Sequence, residues 1–207
     1  MRRKTINSAI GAVTALALCS GAWLLYDGAG AGPPPQPSAA QAAAASDGTA
    51  RVASALPPSP PDRIRIPAIR VDAPLMGLGL TRQGSLDVPP PQKTNLAGWY
   101  ESGTTPGEKG TAIVAGHVDN AEGPSVFYSL GGLTKGRTIE VERRDGSVAV
   151  FTVDANEVYA AKDFPDKKVY GAADRPELRV ITCGGAYSRK TGYQGNVVVF
   201  AHLTAVR

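Results

Sequence analysis

The sequence predicts a mostly β domain of barrel type, and three observations carry that expectation. First, from Arg63 onward the chain is broken into short runs rich in Val, Ile, Thr and Phe: RIRIPAIRVDAPL, TAIVAGHV, RTIEVERR, SVAVFTVDANEVYA, LRVITC and NVVVFAHL. Each is too short for a typical helix, and branched and aromatic side chains suit a pleated, half-buried surface. Second, Gly and Pro punctuate the runs. Third, Thr138 to Val153 alternates around Arg143-Arg144-Asp145-Gly146, where Asp-Gly marks a hairpin turn. Evenly spaced strands without long helical periods argue for a closed or nearly closed barrel.

Ahead of this domain lie two segments of different character. Ser8 to Tyr26 is an uncharged apolar stretch preceded by Arg2, Arg3 and Lys4, close to the roughly 20 residues that cross a bilayer core. The basic flank is expected to stay in the cytoplasm and everything after Asp27 to lie outside. Residues 1–27 are therefore read as a single-pass N-terminal anchor, with a cleaved signal peptide as the competing reading, since GAGAG at 28–32 offers small residues to a peptidase. Residues 28–62 collapse to Ala, Pro, Gly, Ser and Gln. Such a stretch has little to bury against its ordering entropy, so it is expected to be a disordered stalk holding the domain of residues 63–207 away from the membrane.

Charge excludes one class of function. The formal charge of +4 falls away once Arg2, Arg3 and Lys4 are set aside, because 19 basic residues then face 18 acidic ones. No nucleic-acid footprint is left. Neither a metal site nor a phosphate-cradling loop is visible, so no cofactor is expected. Cys19 lies in the apolar segment and Cys183 in the polar domain; the two are not expected to pair, which makes Cys183 a free thiol and a candidate nucleophile.

Two strand ends carry the candidate chemistry. His117 follows an apolar strand and precedes a glycine-containing loop, and Cys183 ends LRVITC just ahead of Gly184-Gly185. A thiol attacks as the thiolate, and a neighbouring imidazolium is the common means of forming one. Small residues after a nucleophile let a substrate chain approach the backbone. A structural histidine and an inert buried cysteine are the bland alternatives to this pairing.

The stretch AGHVDNAEGPSVFYSL around His117, and VITCGG at 180–185 followed by GNVVVFAHL, resemble the histidine region and the cysteine and terminal strands of sortases. The TCGG form, the anchor and the Pro/Ala-rich stalk are most similar to class F sortases of actinobacteria. The resemblance implies an eight-stranded sortase β-barrel with short helices. It implies a cysteine transpeptidase that cuts a signal related to Leu-Pro-X-Thr-Gly between Thr and Gly. Cys183 would form a thioester; His117 would protonate the leaving amine, then deprotonate the incoming amine of a cell-wall precursor or a pilin. Thr182 is a candidate contact to the substrate backbone.

Sortases also carry an arginine near the start of the last strand, as oxyanion donor. Here that start reads Tyr193-Gln194-Gly195-Asn196. Arg189, in the preceding loop, is the favoured donor if that loop folds back; Asn196 or Gln194 would be neutral substitutes. The loop between Tyr159 and Leu178 corresponds to one wall of the signal groove, with Phe164, Pro165 and Tyr170 as its apolar lining. Two alternatives remain: an L,D-transpeptidase, whose Ser-His-Gly-Cys signature VITCGG lacks, and a non-catalytic wall-binding module.

Overall fold

The computed structural model describes residues 32–42 and 52–207; the proposed membrane span lies outside them. Among the described residues no helix is long and apolar enough to cross a membrane. The strands run in order β1 (Pro61–Ile66), β2 (Val71–Leu78), β3 (Ala97–Tyr100), β4 (Gly110–Ala115), the two-residue β5 (Asp119–Asn120) and β6 (Gly123–Pro124), β7 (Thr138–Arg143) and β8 (Val148–Ala160). A five-residue helix α1 (Asp166–Tyr170) precedes β9 (Pro176–Ser188) and β10 (Gly192–Val206).

Eight of these strands close into a barrel in the order β1-β2-β3-β4-β9-β10-β8-β7, with β7 pairing back onto β1. The expected barrel with few short helices is present. Its interior holds the apolar residues of alternate strand positions, among them Ile64, Val114, Val141, Phe151, Val180 and Leu203. The run RIRIPAIRVDAPL is two strands rather than one. Pro67 opens a tight 3₁₀ turn, and Arg70 takes a left-handed conformation (φ 55°) that reverses the chain. The Asp145-Gly146 turn joins β7 to β8 as expected, with Gly146 at φ 85°.

Two pairings place the site. β4 lies parallel to β9, matching Ala115 with Ile181, and β9 runs antiparallel to β10, matching Cys183 with Asn196. A parallel central strand is covered on both faces, as all six residues of β4 are. Val114 points into the barrel, whereas Ile113 joins Ile181, Val198, Phe200 and Val169 in a second cluster outside it. Val169 comes from α1, so the loop between β8 and β9 roofs that outer cluster.

Residues 32–42 and 52–60 pack on the barrel: Ala53 N–H donates to Leu203 O at 3.0 Å and Leu56 N–H to Gly107 O at 2.8 Å. Proline and short side chains lose little freedom on ordering, so a few backbone hydrogen bonds suffice to hold such a segment.

Candidate active site

β4 ends at Ala115 because Gly116 must pass beneath Phe127 and Val126; a Cβ on Gly116 would sit 2.8 Å from each. Gly116 N–H still bonds Ile181 O at 3.2 Å. In return the buried Thr182 hydroxyl donates to Gly116 O at 2.8 Å. The backbone bearing His117 is thus stitched to the strand bearing Cys183. The Thr182 hydroxyl hydrogen is committed to this stitch, and Thr182 lines the same cleft as Cys183.

His117 is fixed at two points. Its carbonyl accepts from Phe127 N–H at 3.0 Å, and its ring Nε2 lies 2.7 Å from Pro89 O. A carbonyl only accepts, so Nε2 carries the hydrogen and the neutral ring keeps Nδ1 as its basic atom. The Pro89-Pro90-Pro91 run has fixed φ angles and presents its carbonyls rigidly; Pro91 O takes a second bond from Asn120 Nδ2 at 2.7 Å.

His117 and Cys183 line one cleft, together with Leu86, Asp87, Val88, Ile181, Tyr170 and Asn196. Cys183 is 8% exposed, at the cleft surface rather than sealed in the core. Its sulfur is disulfide-bonded. The free thiol expected from the sequence is therefore masked here, and reduction must precede any nucleophilic role.

The other expected residues divide. Arg189 stands one residue past the end of β9, at the tip of a hairpin whose outermost pair is Ser188 with Gly192, and does not line the cleft. The loop does not fold back because pairing between β9 and β10 continues almost to the turn. Gln194 sits at a bulge between Tyr193 and Gly195, and its amide bonds Thr191 Oγ1 and Gly192 O within the hairpin. Asn196 does line the cleft, opposite Cys183, with Nδ2 at 3.5 Å from Thr182 O. Tyr170 supplies the apolar wall; Phe164, centroid 5.7 Å away, backs it from behind. Burial, with the charge of Asp166, pushes the Tyr170 phenol up to about 12.

Sequence reasoning missed the Pro89 carbonyl, because a backbone acceptor leaves no signature beyond a rigid proline run. It also missed the tie between Tyr193 and Asp119, whose hydroxyl and carboxylate meet at 2.6 Å. Burial and the bond to Asp119 push the Tyr193 phenol strongly up, so Tyr193 is the donor. Among the described residues no group of three or more His, Cys, Asp and Glu is placed to hold a metal.

With this geometry in place, comparison with known proteins is specific. The Sortase domain family matches residues 64–204. Solved structures with the same fold include sortase A of Listeria monocytogenes, at 18% identity and a TM-score of 0.52, covering 70% of this chain and 87% of that one. Sortase C-1 of Actinomyces oris aligns at 19% identity and 0.53, over 69% of this chain and 73% of that one. Sortase A of Corynebacterium diphtheriae aligns at 19% and 0.52, over 72% and 62%. No curated protein matches the chain.

Proposed function

Since the chain belongs to the sortase family by its match over residues 64–204, and is thereby a cysteine transpeptidase, we propose that it cleaves a Leu-Pro-X-Thr-Gly-like signal between Thr and Gly and passes the acyl group to an amine at the cell wall. The observation that carries this reading is the shared cleft of Cys183 and His117. In the reduced protein the Cys183 thiolate attacks the Thr carbonyl. The C–N bond then breaks, and His117 delivers its proton to the departing Gly amine, leaving a thioester. The acceptor amine attacks the thioester, gives its extra proton to His117, and releases the Cys183 thiolate. The acceptor is an amine of a cell-wall precursor or of a pilin.

Nδ1 of His117 is the shuttling atom in this scheme, because Pro89 O holds Nε2–H. Asn196 is the donor best placed for the oxyanion, with Arg189 as the charged competitor. The test is turnover of Leu-Pro-X-Thr-Gly peptides by the reduced protein with hydroxylamine as acceptor. Cys183→Ala should abolish hydroxamate formation and His117→Ala nearly do so; substantial product from the cysteine variant would overturn the mechanism.

Class F membership rests on the TCGG motif and the stalk composition. The placement at the membrane, with one N-terminal span and the barrel outside, rests on the basic flank and the apolar run of residues 8–26. Protease added to intact protoplasts should digest the barrel; a protected barrel would reverse the topology.

A further inference from the structure

The loop between β2 and β3 sets the charge of the cleft. Beyond Leu78 the chain folds back on itself: Thr81 N–H donates to Ser85 O at 2.8 Å, Leu80 bridges Leu86, and Asp87 N–H donates to Gly79 O at 3.0 Å. Gly84, at φ 82°, makes the tight turn this requires. Leu86 packs on the outer apolar cluster and Pro89 is buried, so Asp87 stands between fixed neighbours. Asp87 itself is exposed and lines the cleft, with Oδ1 accepting from Val88 N–H at 2.9 Å.

Among the described residues, Asp87 is the one acidic residue lining the cleft that holds Cys183, and neither a lysine nor an arginine lines it. The reacting pair does not cancel this charge. A thiolate formed at Cys183 leaves its proton on His117, and the two sum to zero. Asp72, Glu142, Glu157 and Glu177 each face an arginine or a lysine, whereas among the described residues no ion pair involves Asp87. A carboxylate on a cleft wall with no cation beside it raises the local concentration of cations and repels anions.

We propose that Asp87 is a specificity-determining residue that selects a cationic side chain in the peptide bound beside Cys183. The identity of this ligand rests on the transpeptidase reading. There the Thr carbonyl meets Cys183, and the residue before Thr is the nearest side chain free to differ between signals. The preferred signal then carries Lys or Arg at X of Leu-Pro-X-Thr-Gly and disfavours Asp or Glu. The charge of the cleft wall itself does not depend on that reading.

The test uses the full chain after reduction and removal of the reductant. Asp87→Asn keeps the oxygen that accepts from Val88 N–H and removes the charge; Asp87→Lys reverses it. Cys183 is first modified with a cationic and an anionic methanethiosulfonate, each forming a mixed disulfide and releasing a sulfinate, and followed by mass spectrometry. Asp87→Asn should lower the cationic-to-anionic rate ratio about 4- to 25-fold, since one solvent-facing charge contributes about 2- to 5-fold on each reagent. Salt at about 1 M should shrink that difference, and a ratio unchanged by Asp87→Asn would overturn the proposal. Hydroxamate formation is then compared for peptides with Lys or Glu at X, with uncharged hydroxylamine as acceptor. The wild type should favour Lys in kcat/KM by about 4- to 25-fold, Asp87→Asn should lose the preference, and Asp87→Lys should invert it. Should Asp87→Lys fold poorly, Asp87→Asn carries both measurements. No preference in the wild type would overturn the assignment to X, as would an effect of Asp87→Asn seen only when a cationic amine replaces hydroxylamine, which would place the charge with the acceptor. A shifted reagent ratio without hydroxamate from either peptide would uphold the acidic wall and reject the transpeptidase reading instead.

Discussion

Exchange of Asn196 for Ala tests which group stabilises the oxyanion. Asn196 is paired with Cys183 across neighbouring strands, which lie about 4.8 Å apart. Its Nδ2 makes only a 3.5 Å contact to Thr182 O, at the limit of a hydrogen bond, so the amide can be redirected at small cost. Arg189 is six residues along the chain from Cys183. At about 3.3 Å per residue, an extended strand carries it roughly 20 Å away, beyond the span of its side chain. Loss of an oxyanion donor costs about 2.7–4 kcal/mol, a factor of about 10²–10³ in kcat. Asn196→Ala should therefore lower kcat for hydroxylamine transfer by that factor while reduced Cys183 alkylates at its normal rate. Arg189→Ala should stay within about threefold of wild type, as expected for an exposed residue outside the site. A severe Arg189→Ala with a mild Asn196→Ala would refute the reasoning, because it would require the hairpin to fold over the cleft during turnover.

Two further outcomes follow from packing and charge. Gly116→Ala forces a methyl group to within 2.8 Å of Phe127 and Val126; overpacking of this kind costs about 1–3 kcal/mol, or roughly 2–4 °C in Tm per kcal/mol for a domain of this size. It should also lower kcat by displacing His117, so a variant with unchanged Tm and kcat would contradict the tight passage. Burial pushes the Glu177 carboxyl up, but hydrogen bonds and charge from Arg175 and Arg179 outweigh it and hold the pKa below its usual range. A lowered folded pKa stabilises above the unfolded value of about 4.3, and that contribution is lost as pH falls through the folded value. Glu177→Gln should thus destabilise at pH 7, with the gap to wild type closing below about pH 4; a gap constant down to pH 2 in denaturant titrations would contradict the pairing.

Strand positions in this chain were legible because they are local. Alternation across Thr138 to Val153, the Asp145-Gly146 turn and the branched runs ending near His117 and Cys183 each need only a few neighbouring residues. β3 escaped notice because Ala97–Tyr100 has only four residues, two of them Ala and Gly, and draws its stability from β2 and β4.

What the sequence by itself determined is the type of domain, and it singled out Cys183 and His117 as the candidate pair, since patterning and residue chemistry are properties of short stretches. Tertiary structure decided everything that depends on two distant stretches meeting. The parallel pairing of β4 with β9 brings Gly116 to Thr182, and the Pro89 carbonyl sets the His117 tautomer from 28 residues away. The same applies to Arg189, carried off by the β9–β10 hairpin while Asn196 is left facing Cys183. It applies again to Pro35, which lies over the gap left by Gly131. Closing such long loops costs entropy that no local pattern records, and the contacts that offset it exist only once the barrel has closed.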